Sequence, residues 1–223
     1  MTSDVSHSCL TLYLYCYHSC CILKPWQKDE SESIGVSPSE MEILGKVNDC
    51  KLLSSELRQN IHDIIHAHPD IFAVSVSQRS PAQIDEINLT RATQEAFAQC
   101  IETLVDQNKL PIDETYAIVD GNVTPKLYAS QRVQSNAQES ESVKTFPVRP
   151  YVNGDANVFT VALSSIIARV HRDEIMQVLD EKFPSYGFAD HNGFGRKDHI
   201  EAIHKHGSIQ GVHRMSFKQV KGR

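Results

Sequence analysis

The length, composition and charge of the chain are those of an ordinary globular protein. Its 223 residues are 40% hydrophobic and 22% charged, which is enough for one sizeable α/β domain. The formal net charge of −6 argues against a protein that coats nucleic acid non-specifically. Residues 191–223 nevertheless hold seven Lys or Arg and only two acidic residues, a pattern that fits either a local nucleic-acid contact or a solvated tail.

The hydrophobic pattern predicts strands and helices in alternation. The predicted strands and extended segments are 10–17, 71–78, 116–119 and 148–155. The predicted helices are 52–68 with Ser55 as its cap, 89–106, a helix of about seven turns over 158–183, and a short one near 198–206. Residues 128–146 are polar and predict a mobile surface insertion, while residues 218–223 predict a basic tail. This order predicts a single α/β domain.

The six cysteines and the N-terminal residues bear on the compartment. The cysteines show no pair of CxxC spacings, which makes a zinc ribbon unexpected, and we interpret them as reduced intracellular thiols. The first 25 residues lack a basic start, and His18 and Ser19 interrupt a short apolar run. We therefore expect a soluble intracellular protein, cytoplasmic or nuclear, with no signal peptide, membrane helix or membrane partner.

Two aspartates are the first candidates for chemistry. Asp120 ends the predicted strand of YAIVDGN, and Asp155 precedes the long predicted helix. Polar groups at the carboxyl ends of strands gather where ligands bind in open α/β sheets, and two adjacent carboxylates favour a divalent cation between them. The alternative is ordinary turn and cap chemistry, because Asp-Gly and Gly-Asp are common in turns. Spacing by itself does not decide between the two.

Five segments, in order, resemble type 2 ribonucleases H, the ribonuclease HII family. They are VNDCKLLSSELRQNI (47–61), SPAQIDEINLTRATQEAF (80–97), YAIVDGN (116–122), NGDANVFTVALSSIIARVHRDEIM (153–176) and FPSYGFADHNGFGRKDHIEAIHKHGSIQGVHRMSF (183–217). The resemblance runs from about residue 20 to residue 217. Five ordered segments are far more specific than any single motif.

The resemblance implies a fold, a reaction and a metal site. It implies a ribonuclease H-like fold with a mixed central sheet flanked by helices and a C-terminal helical extension. It also implies an endonuclease that cuts the RNA strand of RNA–DNA hybrids, nicks ribonucleotide-containing duplex DNA and leaves 5′-phosphate ends. Asp120 and Asp155 match two of the four acids that hold the family's Mg²⁺ or Mn²⁺, with two ions expected. The sequence does not indicate partner subunits.

The first nineteen residues depart from the family pattern. The family opens with a strand carrying an Asp-Glu pair and Gly-Arg-Gly. Here Asp4 stands within one residue of the first acid, but Val5 follows where Glu is expected, and Ser6-His7-Ser8 replaces the glycine–arginine segment. Asp4 remains a candidate metal ligand. We interpret residues 1–19 as a divergent segment, from an alternative start or a mispredicted exon, ahead of a domain spanning 20–217. An inactive, nucleic-acid-binding remnant is the alternative function.

The predicted nucleic-acid contacts lie mainly in the C-terminal part. Phe194 stands where the family usually has a Tyr that stacks on a sugar, so the stacking face is kept and a hydroxyl donor is lost. The remaining candidates are positive side chains for phosphates: Lys51, Arg196, Lys197 and Arg214. We expect His213 to pack beside Arg214, and Arg169, Arg172 and Asp173 to form an exposed charge pattern.

One further pair of histidines is open to two interpretations. His62 and His66 stand four apart on a predicted helix, which places them on one face as a possible metal pair. No third ligand follows at a convincing spacing. A solvated helix face is therefore the favoured interpretation.

Overall fold

The computed structural model describes residues 16–23, 35–110, 116–122, 128–129, 144–145 and 147–221. Within them the strands are β1 (Cys16–Leu23), β2 (Phe72–Arg79), β3 (Ala117–Asp120), β4 (Tyr128–Ala129), β5 (Lys144–Thr145) and β6 (Val148–Tyr151). The helices are α1 (Pro38–Leu44), α2 (Ser55–Ala67), α3 (Pro81–Ile87), α4 (Leu89–Asn108), α5 (Gly154–Asn157), α6 (Phe159–Lys182), α7 (Phe188–His191), α8 (Lys197–His206) and α9 (Lys218–Lys221), with a 3₁₀ turn at Pro184–Tyr186.

The described strands pair as three two-stranded sheets, two antiparallel and one parallel, and not as one continuous mixed sheet. Strand β1 pairs antiparallel with β2, from Cys16 opposite Arg79 to Leu23 opposite Phe72. Strands β3 and β6 run parallel, so that Asp120 lies opposite Tyr151 at their carboxyl ends. The short strands β4 and β5 pair antiparallel. Helices α6 and α4 pack against the β1–β2 pair, which gives the layered α/β architecture expected from the sequence.

The predicted strands and helices need a few corrections. The first described strand is Cys16–Leu23, which overlaps the predicted strand 10–17 at residues 16 and 17 and extends beyond it, while residues 10–15 lie outside the described part of the chain. The cap of α2 is Ser54, whose Oγ accepts a hydrogen bond from the Leu57 N–H at 3.2 Å, and Ser55 is the first helical residue. Serine at either position fits the sequence pattern, so only the backbone geometry separates the two.

Two other predicted segments are only partly described. The ends of the polar insertion form the β4–β5 pair, and the prediction of a mobile loop falls on residues 130–143, outside the described part. The predicted basic tail begins as the short helix α9. The first nineteen residues, described only from Cys16 onward, leave the interpretation of a divergent segment as a prediction.

The main core lies between α2 and α6. Three isoleucines of α2 and two of α6 are fully or almost fully buried there, because their spacing of three and four residues places them on one face. The buried members of this interface include Ile61, Ile65, Leu163, Ile166 and Ile167. Each such side chain contributes about 1.5–3 kcal/mol by its burial. Helix α6 therefore packs against both the β1–β2 pair and α2 and fixes their relative positions.

A second core surrounds Phe188 in the C-terminal part. Phe188 is fully buried, and Met176 of α6 and Ile203 of α8 belong to the same cluster. Asp85 of α3 binds the segment that follows α8. Its carboxylate accepts hydrogen bonds from the backbone N–H groups of Met215 and Ser216 and from the Ser216 hydroxyl. The C-terminal helices are thus an integral extension of the domain.

Two features bear on the predicted compartment. Cys50 and Cys100 are buried thiols outside any disulfide. Burial raises the pKa of Cys100 to about 11, so that this thiol stays protonated at neutral pH. Among the described residues, no helix has the length and apolar character needed to cross a bilayer.

Candidate active site

Asp120 and Asp155 come together at the carboxyl ends of the parallel strands. Asp120 is the last residue of β3, and the chain beyond β6 turns at Asn153, whose φ of 57° is left-handed, before α5 begins. The backbone N–H of Gly154 donates a hydrogen bond of 2.7 Å to Oδ1 of Asp120. Asp155 follows on the first turn of α5, where the helix dipole favours a negative charge. The sequence prediction that these two aspartates are neighbours is thereby met geometrically.

Gly154 is the point of closest approach between the two segments. A Cβ at this position would lie 3.1 Å from Cγ1 of Val161, 3.4 Å from Oδ1 of Asp120 and 3.6 Å from its Cα. A side chain would therefore press the turn away from β3. The close approach sets the separation of the two carboxylates.

Replacing Gly154 by alanine should loosen the site more than the fold. We expect a loss of about 1 kcal/mol in the free energy of unfolding, because the Val161 side chain can yield by a few tenths of an ångström. We expect nuclease activity to fall about 10-fold, because small displacements of catalytic groups have large effects. Urea denaturation and nicking rates measure the two. Gly35→Ala, whose added Cβ meets nothing within 4 Å, is the matched control, and an equal loss of activity in both variants would contradict the prediction.

The two aspartates open into a cavity of about 280 Å³. Its other lining residues are Asp49, Lys51, Asn153, Ala156 and Asn157. Asp49 and Lys51 belong to the turn before α2, where the Lys51 backbone N–H donates to Oδ1 of Asp49 at 2.9 Å. The Lys51 ammonium lies 3.9 Å from Oδ2 of Asp155 and 4.0 Å from Oδ2 of Asp49. Three carboxylates and one ammonium group thus face one cleft.

The electrostatics of this cleft favour a cation. Burial raises the pKa of Asp155, which is only 8% exposed, and the negative charges of Asp120 and Asp49 raise it further, while Lys51 acts in the opposite direction. A carboxylate in this position is destabilised in its charged form unless a cation neutralises it. Carboxylate oxygens are the donors that Mg²⁺ and Mn²⁺ prefer. The chemistry of the donor set therefore fits a hard divalent ion.

The predicted nucleic-acid contacts separate into two groups. Lys51 lines the cavity with the two aspartates. Arg196 and Lys197 are exposed at the start of α8, with Arg196 3.1 Å from Asp198. Arg214 is only 8% exposed, and its guanidinium lies 5.9 Å from the ring centroid of Phe217. Phe194, Arg196, Lys197 and Arg214 are outside the lining of this cavity, and Asp4 lies outside the described residues.

Phe194 rests on a buried arginine. The Arg172 guanidinium carbon lies 4.2 Å from the centroid of the Phe194 ring, and Nε and Nη2 of Arg172 both donate to the backbone carbonyl of Asn192. Arg172 is 1% exposed. The expectation of an exposed charge pattern was wrong. The Arg172 guanidinium binds the carbonyl of the glycine loop instead of facing solvent, and Arg169 and Asp173, which form an ion pair of 3.2 Å, are half-buried.

Replacing Arg172 by methionine should destabilise the protein by about 2–3 kcal/mol. The change leaves the Asn192 carbonyl without its donor and removes the cation from beneath Phe194. Urea denaturation measures the loss. Arg91→Met on α4 is a matched control, since Arg91 makes an exposed i,i+4 ion pair with Glu95 that contributes little. A loss below 1 kcal/mol for Arg172→Met would show that this contact is not structural.

Sequence reasoning missed three polar residues of the cavity, besides Ala156. Asp49 lies two positions before Lys51 within the segment that carries the family resemblance, so it could have been singled out with Lys51. Asn153 and Asn157 reach the cavity only because the chain turns at Asn153 and enters α5 at once. That turn has no distinctive sequence signal beyond Asn-Gly.

Comparison with known proteins identifies the family. The sequence model described as ribonuclease HII matches residues 35–220. The chain belongs to the ribonuclease HII family. It is 36% identical over 177 residues to ribonuclease HII of Fusobacterium nucleatum subsp. nucleatum, covering 79% of this chain and 72% of that protein. It is 38% identical over 176 residues to ribonuclease HII of Chloroherpeton thalassium, covering 79% and 74%.

Solved structures support the same fold. The ribonuclease HII of Archaeoglobus fulgidus, solved in complex with PCNA, is similar with a TM-score of 0.56 at 20% identity, covering 92% of this chain and 87% of that one. Ribonuclease H2 from Pyrococcus horikoshii has a TM-score of 0.54 at 20% identity, covering 92% and 96%. The resemblance to these proteins supports a ribonuclease H-type enzyme. The family match begins at residue 35, later than the resemblance expected from about residue 20.

Proposed function

We propose that this protein is an endonuclease that hydrolyses the RNA strand of RNA–DNA hybrids and nicks duplex DNA at embedded ribonucleotides, leaving 5′-phosphate ends. The observation that carries the proposal is the convergence of Asp120 and Asp155 on one cavity, with the Gly154 N–H donating to Oδ1 of Asp120 at 2.7 Å. Membership in the ribonuclease HII family supplies the reaction class.

The acidic residues of the cavity have the role of metal ligands. Asp120 and Asp155 would hold Mg²⁺ or Mn²⁺, with two ions expected, and Asp4 remains a candidate further ligand. Bound divalent ions activate a water molecule and neutralise charge on the leaving 3′-oxygen in this class of reaction. The Gly154 N–H fixes the orientation of the Asp120 carboxylate. Preorganised charges of this kind supply most of the rate enhancement in a hydrolytic displacement.

The positive side chains have the role of substrate contacts. The Lys51 ammonium lies at the edge of the carboxylate group, where a scissile phosphate would replace Asp155 as its partner. Arg196 and Lys197 are exposed and available to phosphates further along the duplex, and Arg214 is the more buried candidate. Phe194, held from beneath by Arg172, offers its ring to the sugar of a ribonucleotide.

The test is a cleavage assay on a labelled DNA duplex that contains one ribonucleotide, in Mg²⁺ or Mn²⁺. We expect nicking on the 5′ side of the ribonucleotide, leaving a 5′-phosphate, and loss of nicking in Asp120→Asn. An all-DNA duplex of the same sequence is the substrate control. Circular dichroism verifies that the variant is folded. Metal-dependent nicking that survives in folded Asp120→Asn would overturn the assignment of the site.

A second candidate function is binding to the same duplex without cleavage. The observation that favours it is Val5, which stands where the family has the Glu of its Asp-Glu pair. The same samples separate the two functions. A folded protein that shifts the ribonucleotide duplex in a gel but does not nick it in either metal ion has the binding function only.

A further inference from the structure

Three histidines from two helices meet at the surface of the α2–α6 interface. The ring nitrogens that His62, His66 and His171 can offer to a metal all lie within 4.8 Å of one another. The ring centroids of His62 and His66 are 4.1 Å apart, and those of His62 and His171 are 5.5 Å apart in an edge-on arrangement. The third ligand that the sequence did not reveal is therefore His171, on the neighbouring helix α6.

The contacts of the three Nδ1 atoms leave Nε2 as the candidate ligand atom of each ring. Nδ1 of His66 lies 2.8 Å from the His62 carbonyl oxygen, and Nδ1 of His62 lies 3.1 Å from Oδ1 of Asp63. Nδ1 of His171 lies 3.5 Å from Oε2 of Glu174. A carbonyl or carboxylate oxygen only accepts, so Nδ1 of His62 and of His66 carries the hydrogen and the lone pair of each neutral ring lies on Nε2. The Glu174 carboxylate near Nδ1 favours the same tautomer in His171.

The Nε2 atom of His62 is the independent sign that a ligand belongs here. Among the described residues it is buried yet has no hydrogen-bond partner. A buried polar atom of this kind calls for an explanation, since most find a partner. A metal ion at the centre of the three rings would satisfy it. Carboxylate or carbonyl groups behind the metal-binding histidines, as Asp63 and Glu174 are here, are the usual support for such ligands.

We propose that His62, His66 and His171 form a second metal site that binds Zn²⁺ and clamps α2 to α6. Three imidazoles with one position left for water are a known coordination set for zinc. Tetrahedral zinc with bonds of about 2.0–2.1 Å needs nitrogens about 3.3 Å apart, so small side-chain rotations close the site. Imidazole ligands select zinc over Mg²⁺, which prefers the carboxylates of the cavity described above.

This histidine site shares no ligand with the proposed nuclease centre, and we expect metal binding there to affect stability and not cleavage. None of its histidines lines the cavity around Asp155. Its helices share the buried isoleucine interface, so that a metal bridge at the surface of this interface would hold together elements that are already packed. We therefore expect zinc to raise stability and to leave the Mg²⁺-dependent nicking rate unchanged.

The test is a zinc titration by calorimetry in excess Mg²⁺, with Asp155→Asn, His62→Asn, His66→Asn and His171→Asn as parallel samples. We expect one zinc per chain that survives in Asp155→Asn and weakens more than about 100-fold in each histidine variant. His66 is exposed, so a loss of zinc binding in His66→Asn cannot be attributed to a disturbed core. His204→Asn, an exposed histidine on α8, is the control and should bind as the parent does.

Two further readouts decide the outcome. At 100 times the dissociation constant, zinc should raise the melting temperature of the parent by about 5–10 °C, and should leave that of His66→Asn unchanged. Cobalt substitution should give the visible absorption of a tetrahedral nitrogen-ligated ion in the parent only. Zinc binding that is equal in the parent and all three histidine variants, or that disappears in Asp155→Asn, would overturn the proposal and leave the three rings as an aromatic cluster on the helix surface.

Discussion

Replacing Asp155 by asparagine should abolish metal-dependent nicking and, in the same variant, raise the melting temperature of the metal-free protein. The activity should fall about 100–1,000-fold or more, because a lost metal ligand removes several kcal/mol of transition-state stabilisation. The stability should rise because the carboxylate is buried beside Asp120 and Asp49, which raises its pKa and destabilises its charged form at neutral pH. An asparagine keeps the shape and removes this charge.

The response to Mg²⁺ distinguishes a metal ligand from a merely crowded carboxylate. At about 100 times the dissociation constant, Mg²⁺ should raise the melting temperature of the parent by about 5–10 °C and have no effect on Asp155→Asn. Asp70→Asn, at an exposed turn before β2, is the matched control and should behave as the parent in both assays. A variant that is still stabilised by Mg²⁺ to the same extent would remove Asp155 from the metal site.

Acidification from pH 6.5 towards pH 4 should unfold the C-terminal core through His199 and His213. Both side chains are fully buried, and burial lowers the pKa of each from 6.5 to about 4. In this window an unfolded histidine binds a proton and the folded one does not. The unfolded state thus binds more protons, so the free energy of unfolding must fall as the pH falls. The slope for two such groups approaches about 2.7 kcal/mol per pH unit.

The hydrogen bonds explain why the neutral forms are held. The Ile209 backbone N–H donates to Nδ1 of His213, and Nδ1 of His199 lies 2.9 Å from the Phe194 carbonyl oxygen, which only accepts. The remaining contact, 3.3 Å between the two Nε2 atoms, then requires His213 to donate and His199 to accept. An added proton on either ring would place two donors face to face, so the chain of bonds exists only when both rings are neutral.

Urea denaturation between pH 7.5 and pH 5 measures this effect. His213→Gln and His199→Gln should each remove about half of the slope, whereas the exposed control His204→Asn should keep all of it. Asp155 acts in the opposite direction, because its raised pKa makes the folded state take up a proton first. The comparison of variants is therefore the decisive measurement. Equal slopes in all four proteins would show that the two rings do not control the acid sensitivity.

The positions of the catalytic candidates followed from the sequence because each depends on a local signal. Asp120 closes a short apolar strand, and Asp155 precedes a long apolar-periodic helix; both signals survive in the structure as β3 and α5–α6. Ordered family segments then favoured a metal site over ordinary turn chemistry, which spacing could not do. The hydrophobic pattern also predicted α2, β2, α4 and α6 to within a few residues of their observed ends.

What the sequence could not show are contacts between residues far apart along the chain. His171 lies more than 100 positions after His62, so no spacing rule connects them, and only the packing of α6 on α2 brings the rings together. For Arg172, the sequence led to a wrong prediction of exposure. A charged residue in a helix rich in charged residues is expected to be exposed. The loop at Asn192 nevertheless covers Arg172, and the Asn192 carbonyl accepts a hydrogen bond from its guanidinium. Tertiary packing decides both outcomes.

The hydrogen bonds between Asp85 and residues 215 and 216 constrain the order in which the chain folds during synthesis. Met215 and Ser216 donate hydrogen bonds to a carboxylate made about 130 residues earlier, so this contact can form only after residue 216 has left the ribosome. Closing so long a loop is slow relative to local helix formation. The α2–α6 core can assemble once α6 has emerged, while the C-terminal extension docks last. A nascent chain stalled before residue 215 would therefore display an ordered α2–α6 core, with α3 packed on α4 and the Asp85 carboxylate without its C-terminal hydrogen-bond donors.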